Sequence, residues 1–445
     1  MPVSPARAAA FDILLRVERE SSYASELLHS ATYANFSAPD HALATELVMG
    51  VLRWRSRLDA YIATASSQSL STLDLEILVA LRLALYQFLW LDRVPQRAAL
   101  HESVELVKRA RKRSAAPFVN AVLRKLSSTP PVRGMPNEEP ASPENLARAF
   151  SHPEWLVERW AREYGLPATR QICEHDQSIP VTAIRLRTPD AEAQLNQEGI
   201  TLLPGAFLAS SRRVLAGDIT KTQAFRHGQI VIQDEASQLV AALVGHGSHI
   251  LDCCAAPGGK TLALADHNPG ASIIAVELHP HRARLLQKLL PSHASSIEIV
   301  TADAQHLPTI APMDRVLADV PCSGTGTLAR NPEIKWRLSP ADFAQLSTYQ
   351  LAILRSALAQ VAPRGRLIYS TCSLEKEENE TVVEQALAES SLFRLVDCEP
   401  ELARLKSVGE LTWPAPASLT SGPYLRTLPG VHPCDGFFAA IFERI

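Results

Sequence analysis

From Gly228 onward the chain repeats one pattern, a short apolar run followed by a helical stretch. The runs are HILDCCA, SIIAVEL, IEIVTAD, RVLADVP, RLIYSTC, FRLVDC and GFFAAIFER, with amphipathic stretches such as HPHRARLLQKLL and AQLSTYQLAILRSALAQVA between them. Continuous apolar runs of this length suit strands buried on both faces. Strands separated by helices suit a parallel sheet covered on either side. The pattern predicts an α/β, Rossmann-like domain of seven strands over residues 228–445. In such a sheet ligands bind beyond the carboxyl ends of the strands. The residues that close each run are therefore the ones to read for chemistry.

The rest of the chain reads differently. Residues 1–130 show helical spacing only; Ala44, Leu47, Val48, Val51, Leu58 and Ile62 share one periodic face. The stretch STLDLEILVALRLALYQFLWL carries a candidate cap at Ser71 or Thr72 and then a broad apolar face. Its apolar core, Ile77 to Leu91, is broken by Arg82 and Gln87 and falls short of the roughly 20 residues that cross a bilayer, so a buried helix is expected. An all-α bundle follows from this. Residues 131–147, rich in Pro, Ser and Glu, read as a linker. Residues 148–227 read as a small α+β module, RRM-like in size and pattern. It opens on SHPEWLVERWAREYG, helical up to Gly165, and contains VTAIRLRT, whose alternation predicts Ile184 and Leu186 inside and Arg185 and Arg187 outside.

The seven cysteines are odd in number and scattered, with no C-x-x-C and no Cys/His zinc spacing. A reducing, cytoplasmic setting is expected, with no disulfide framework, no metal site and no membrane partner. The net charge is −3, yet residues 1–133 carry five more basic than acidic side chains, including KRARKR at Lys108 to Arg113. A basic module beside an acidic one points to a polyanion partner, although a cluster of this kind is also found on ordinary solvated helix ends.

Four motifs sit at strand ends. LDCCAAPGGKT follows the first run: Pro257, Gly258 and Gly259 form a turn that lets a ligand approach the backbone at a helix start. A nucleotide-triphosphate loop needs Gly at position 254, which is Cys254 here, so an NTPase is excluded. Glu277 ends the second run, where an acid accepts from two ribose hydroxyls. Asp303 ends the third, where it can accept from an adenine amine or cap the next turn. Together these describe an adenosine site. The fourth motif, DVPC, puts Cys322 where enzymes that methylate exocyclic amines carry an aromatic residue. A second thiol, Cys372, closes RLIYSTC and precedes an acidic, helix-like segment, SLEKEENE.

Paired thiols suit methylation of a pyrimidine at carbon 5. That carbon is a poor nucleophile until a thiolate adds to carbon 6. A free thiol, with a pKa of about 8.5, is only slightly ionised at neutral pH unless its site changes that. One thiol can run the cycle and a second can assist the final elimination. Strand position alone does not say which does which.

DCCAAPGGKT, DVPCSGTGTLARNPEIKW and YSTCSLEKEENE resemble the signature motifs of the Sun/RsmB family of RNA 5-methylcytosine methyltransferases. ELVMGVLRWRSRLD, VPQRAALHESVELVK and FVNAVLRKL resemble its NusB-like RNA-binding domain, and SHPEWLVERW and DGFFAAIFER also fit. The resemblance implies S-adenosyl-L-methionine as cofactor and a cytosine of 16S ribosomal RNA as target, ahead of full subunit assembly, with the enzyme a monomer. It implies Cys372 as nucleophile, Cys322 as the group that helps release product and Asp319 as a catalytic contact. Cofactor contacts implied are Cys254, Ala255, Ala256, Pro257, Gly258, Gly259, Lys260, Glu277, Asp303 and Asp319. Glu277 stands where Asp is usual, and Asn331 in RNPEIKW stands where His is frequent, in a loop expected to face RNA. The same chemistry on transfer RNA, and a non-catalytic RNA-binding assembly factor, are the competing readings.

Overall fold

All seven apolar runs become strands of one sheet, and two further short strands join them. The computed structural model describes residues 3–20, 22–128, 142–290, 296–308 and 311–445; most of the expected linker lies outside them. The chain forms two compact units, Met1–Ile179 with Leu328–Arg337, and Pro180–Thr327 with Leu338–Ile445.

The first unit is helical. Its centre is the helix Leu75–Trp90, buried on nearly every side, as its mostly apolar content requires. The polar residues inside it are each partnered: Arg82 grips Asp59 through two 2.7 Å bonds, and Gln87 accepts from Arg7 Nε at 2.7 Å. The helix starts after Asp74; Ser71 and Thr72 fall in the preceding short turn, so neither is the cap. The predicted periodic face spans two helices, Ala38–Arg53 and Arg55–Ala65, which break at Trp54, and all six of its residues are buried. Gly50 allows Tyr86 to lie across the first of these: a Cβ there would stand 1.9 Å from the phenol ring.

Helix Glu154–Asp176 is broken at Gly165 (φ 77°, ψ 160°), where the helical pattern of the sequence stops, and restarts with Pro167 in its next turn. It counts with the helical unit rather than with the small sheet, because its apolar face, Leu156, Val157 and Trp160, is already covered there. The segment Leu328–Arg337 belongs to the same unit. Trp336 Nε1 donates to Leu52 O at 2.6 Å, Arg53 Nη2 to Ala329 O at 2.9 Å and the Ala24 amide to Glu333 Oε1 at 2.8 Å. Leu328, Ala329, Glu333, Ile334 and Lys335 are buried, and Asn331 is half-buried.

In the second unit a small sheet precedes the large one. Strands β1 (Thr182–Leu186), β2 (Thr201–Pro204), β3 (Ser211–Ala216) and β4 (Ile230–Ile232) form an antiparallel sheet in the order β2-β3-β1-β4, with helices Ala191–Gln197 and Gln223–Arg226 in a β-α-β-β-α-β succession. The predicted alternation in β1 fails at Arg185, which is buried. Arg185 and Arg187 both bind Asp266, at 2.5 and 2.8 Å, so the second face of β1 is occupied by an ion-pair cluster instead of water.

The large sheet contains β5 (His249–Asp252), β6 (Ser272–Glu277), β7 (Ile297–Thr301), β8 (Met313–Asp319), β9 (Val361–Thr371), β10 (Phe393–Val396), β11 (Thr420–Ser421), β12 (Tyr424–Thr427) and β13 (Phe437–Arg444). Its order is β11-β12-β13-β9-β8-β5-β6-β7, with β10 also on β13. Strands β7 through β9 in that order are parallel; β10 to β13 are antiparallel, so the sheet is mixed rather than parallel throughout. The cause is visible between β12 and β13. The nine residues joining them hold no helix and are too few for a parallel crossover, which takes a dozen or more. Side chains alternate between two cores: Phe437, Ala439 and Ile441 face one, Phe438, Ala440 and Phe442 the other. That is why the run reads as continuously apolar.

Candidate active site

The chain leaves β5 in one direction to β6 and β7 and returns on the other side to β8 and β9. This reversal lies at the carboxyl ends of the strands, the edge of the sheet where the sequence-predicted groups stand. The loop after β5 enters helix Gly259–His267 through Gly258, at φ 115°. A Cβ there would meet Leu286 Cδ1 at 2.5 Å, so conformation and space both demand glycine. Asp252, the last residue of β5, is buried. Its Oδ2 accepts from Thr261 Oγ1 at 2.7 Å, and its Oδ1 has no protein partner among the described residues. Burial pushes its carboxyl up to about 6, against the hydrogen bond from Thr261. The sequence pattern does not single out this pair; its one trace is an acid closing a strand with a hydroxyl nine residues later.

Glu277 and Asp303 stand at the ends of β6 and β7. Glu277 is buried, accepts from the His279 amide at 2.9 Å and has Arg282 Nη1 3.7 Å from its other oxygen. Asp303 caps the turn Ala304–His306, and the bond from the Gln305 amide holds its carboxyl below the usual range. Tyr349, not singled out from sequence, feels Cys254, Asp303 and Glu277 together; burial, then these three, raises its hydroxyl.

A cavity of about 280 Å³ lies between the small sheet and the glycine loop, lined by Phe225, Ile230 and Gln233 on one side and by Cys254 through Lys260 and Asp319 on the other. Glu277, Asp303, Cys322 and Cys372 do not line it. Lys260 Nζ donates to Asp319 Oδ2 at 2.7 Å, and Ser370 Oγ donates to Asp319 Oδ1 at 2.7 Å. The lysine that mimics a phosphate-loop lysine in sequence thus has a carboxylate for its partner.

Strands β8 and β9 are parallel neighbours, with Asp319 opposite Ser370. β9 ends just before Cys372 and β8 three positions before Cys322, and the two sulfurs are 3.3 Å apart, both free. The two loops are tied by Gly326 N to Cys372 O at 2.9 Å and Leu374 N to Thr325 Oγ1 at 2.9 Å; Gly436, just before β13, donates to Gly326 O at 2.8 Å. The hydrogen bond with Cys372, and then burial, push the Cys322 thiol well above its ordinary value. Cys173, Cys253, Cys398 and Cys434 are buried in the core; Cys254 is half-buried in the glycine loop.

The chain matches two families, "16S rRNA methyltransferase RsmB/F" over residues 241–443 and "NusB family" over residues 4–128. It is 34% identical to "Probable ribosomal RNA small subunit methyltransferase B" of Bacillus subtilis (strain 168), covering 100% of both chains, and 33% identical to the protein of the same name from Synechocystis sp. (strain ATCC 27184 / PCC 6803 / Kazusa), covering 99% of each. The crystal structure of PH0851 has the same fold, with a TM-score of 0.78 at 23% identity over 100% of both chains. With a glycine loop, strand-end acids and paired thiols in place, and full-length relatives of this similarity, the chain belongs to the RsmB/F family of 16S rRNA methyltransferases.

Proposed function

We propose that this chain methylates carbon 5 of a cytosine in 16S ribosomal RNA, with Cys372 as nucleophile and Cys322 as the group that helps release product. The observation that carries this reading is the 3.3 Å separation of two free sulfurs past the carboxyl ends of β8 and β9. The cofactor is S-adenosyl-L-methionine, which supplies an electrophilic methyl group when bound. The residues suit it: a glycine turn leads into a helix start, and acids close β6 and β7. Glu277 serves the ribose hydroxyls and Asp303 the adenine side.

The chain's own residues then divide the work. Either sulfur can donate in the contact between Cys322 and Cys372, and attack requires Cys372 as the thiolate. Cys372 Sγ bonds to carbon 6 and the ring's π pair becomes available at carbon 5 for the methyl group. Loss of the carbon 5 proton to a base returns a pair that breaks the bond between Cys372 Sγ and carbon 6. Cys322 is placed to give its proton to the departing sulfur. Asp319, with one bond to each oxygen, keeps lone pairs for the cytosine or the cofactor. The NusB-like helical unit supplies RNA affinity, the enzyme acts as a monomer, and the substrate is 16S rRNA ahead of full subunit assembly.

Bisulfite sequencing of 16S rRNA incubated with the protein and S-adenosyl-L-methionine tests the reading. One protected cytosine, absent without protein, is expected. Protection of transfer RNA alone, or of no RNA, would overturn it.

A further inference from the structure

Glu378 lies in the acidic stretch after Cys372, and its side chain is fully buried. Its Oε1 accepts from the Ser323 amide at 2.8 Å and from Gln350 Nε2 at 2.7 Å. Its Oε2 accepts from the hydroxyls of Ser323 and Ser373, each at 2.5 Å. Ser323 and Ser373 are the residues immediately after Cys322 and Cys372. The backbone around Glu378 closes on the same loop: Tyr369 Oη donates to Glu378 O at 2.5 Å, and Asn379 Nδ2 to Ser373 O at 2.9 Å. These four bonds to the carboxylate all come from the chain just beyond one thiol or the other, or from Gln350, whose Nε2 also donates to Pro321 O at 2.9 Å.

We propose that Glu378 is the positioning residue of the two thiols. One carboxylate holds the residue after each cysteine, and so fixes the distance between Cys322 Sγ and Cys372 Sγ. The sulfurs' own contact is a poor candidate for that task, because sulfur is a weak donor and a weak acceptor. Glu378 touches neither sulfur; it acts through Ser323 and Ser373. The inference rests on the thiol chemistry proposed above and extends it to a residue outside the reacting atoms.

The test compares Glu378→Ala and Glu378→Gln with the full-length wild type, each checked for fold by circular dichroism. The glutamine can keep the arrangement, since its amide oxygen accepts from Ser323 N and Gln350 while its NH2 donates to the two hydroxyls. Two readouts are used. Dibromobimane becomes fluorescent when it bridges two neighbouring thiols, and a Cys322→Ser protein gives the background. Methyl transfer to 16S rRNA gives kcat and KM separately. Glu378→Ala is expected to lose most of the bridged fluorescence and to lower kcat by about 100-fold, the order expected for a 1 Å misplacement, with KM little changed. Glu378→Gln is expected to restore both. Unchanged bridging in a folded Glu378→Ala protein overturns the proposal, whatever the activity does. Lost bridging with unchanged kcat upholds the positioning role and refutes the thiol mechanism itself. If Glu378→Ala does not fold, Ser323→Ala/Ser373→Ala carries the same test. It is expected to lose bridging, and unchanged bridging again overturns the proposal.

Discussion

Glu378 and Lys335 are both fully buried charged side chains, and they are treated in opposite ways. Glu378 has four hydrogen-bond donors on its two oxygens. In the helical unit, Lys335 Nζ donates to a backbone carbonyl, Arg53 O at 3.2 Å, and sits 5.2 Å from the Trp336 ring centroid. Burial pushes its pKa down to about 7, with Asp176 and Cys173 working the other way. The difference is one of partners rather than of depth. A buried charge with a full set of donors ties separate loops together, whereas one with few partners gives up its proton instead.

The largest effect expected on the Glu378 side is chemical. Cys372→Ala should abolish methylation and form no covalent adduct. Cys322→Ala should still add and methylate but stall at elimination, with turnover lowered by roughly 10²–10⁴-fold, and should appear as a slow protein–RNA band in denaturing electrophoresis. The reverse pattern of bands would exchange the two roles and leave Glu378 positioning a different nucleophile.

Lys335 gives the next effect, on stability. Its folded pKa lies below its unfolded value of about 10.4, so its contribution is present above that value and is lost as pH falls towards 7. Lys335→Met should flatten this slope and raise the unfolding free energy read from urea titration at pH 7, by an amount on the order of a few kcal/mol. A slope between pH 7 and 10 that survives the substitution would show that it does not come from Lys335.

Glu277 is a third buried charge, with an amide at 2.9 Å and a guanidinium at 3.7 Å. Glu277→Ala should weaken S-adenosyl-L-methionine binding in calorimetric titration roughly tenfold, from hydrogen bonds of about 0.5–1.5 kcal/mol each. Unchanged affinity would make it a structural acid only.

The smallest effect is expected at the exposed extreme. In KRARKR, Lys108 pairs with Glu105, Arg109 with Asp12 and Lys112 with Asp74. Pairs this exposed are weak and can yield to phosphate. Replacing Lys108, Arg109, Arg111, Lys112 and Arg113 by Ala should reduce the slope of log affinity against log salt by roughly 0.7–0.9 for each RNA phosphate no longer neutralised. An unchanged slope would leave the cluster a solvated helix end.

How much was legible follows from what kind of pattern each feature leaves. Strands buried on both faces read clearly, because each of their residues must be apolar, and the seven runs became strands. The thiols were legible for a related reason: both close a strand, and parallel neighbours carry their ends to the same place. Features that depend on a distant partner left no local trace. Arg185 reads as an outward residue because Asp266 is far away in sequence. Glu378 reads only as part of an acidic, helix-like segment because Ser323 lies 55 positions earlier. RNPEIKW reads as a loop, and nothing in it signals that Trp336 and Arg337 donate to carbonyls of helices 284 and 320 positions earlier.

The place of β13 in the sheet has a consequence for the order in which the molecule can be made. It pairs with β9, β10 and β12, and Gly436, just before it, closes on Gly326 beside the Cys322 loop. A ribosome releases β9 and β10 well before residues 437–444 emerge. Until then both strands lack a neighbour on that side and Gly326 lacks its cover. The corner with the two thiols is therefore completed only once residues 437–444 have followed, and a nascent chain stopped short of β13 can carry both cysteines without presenting the finished site.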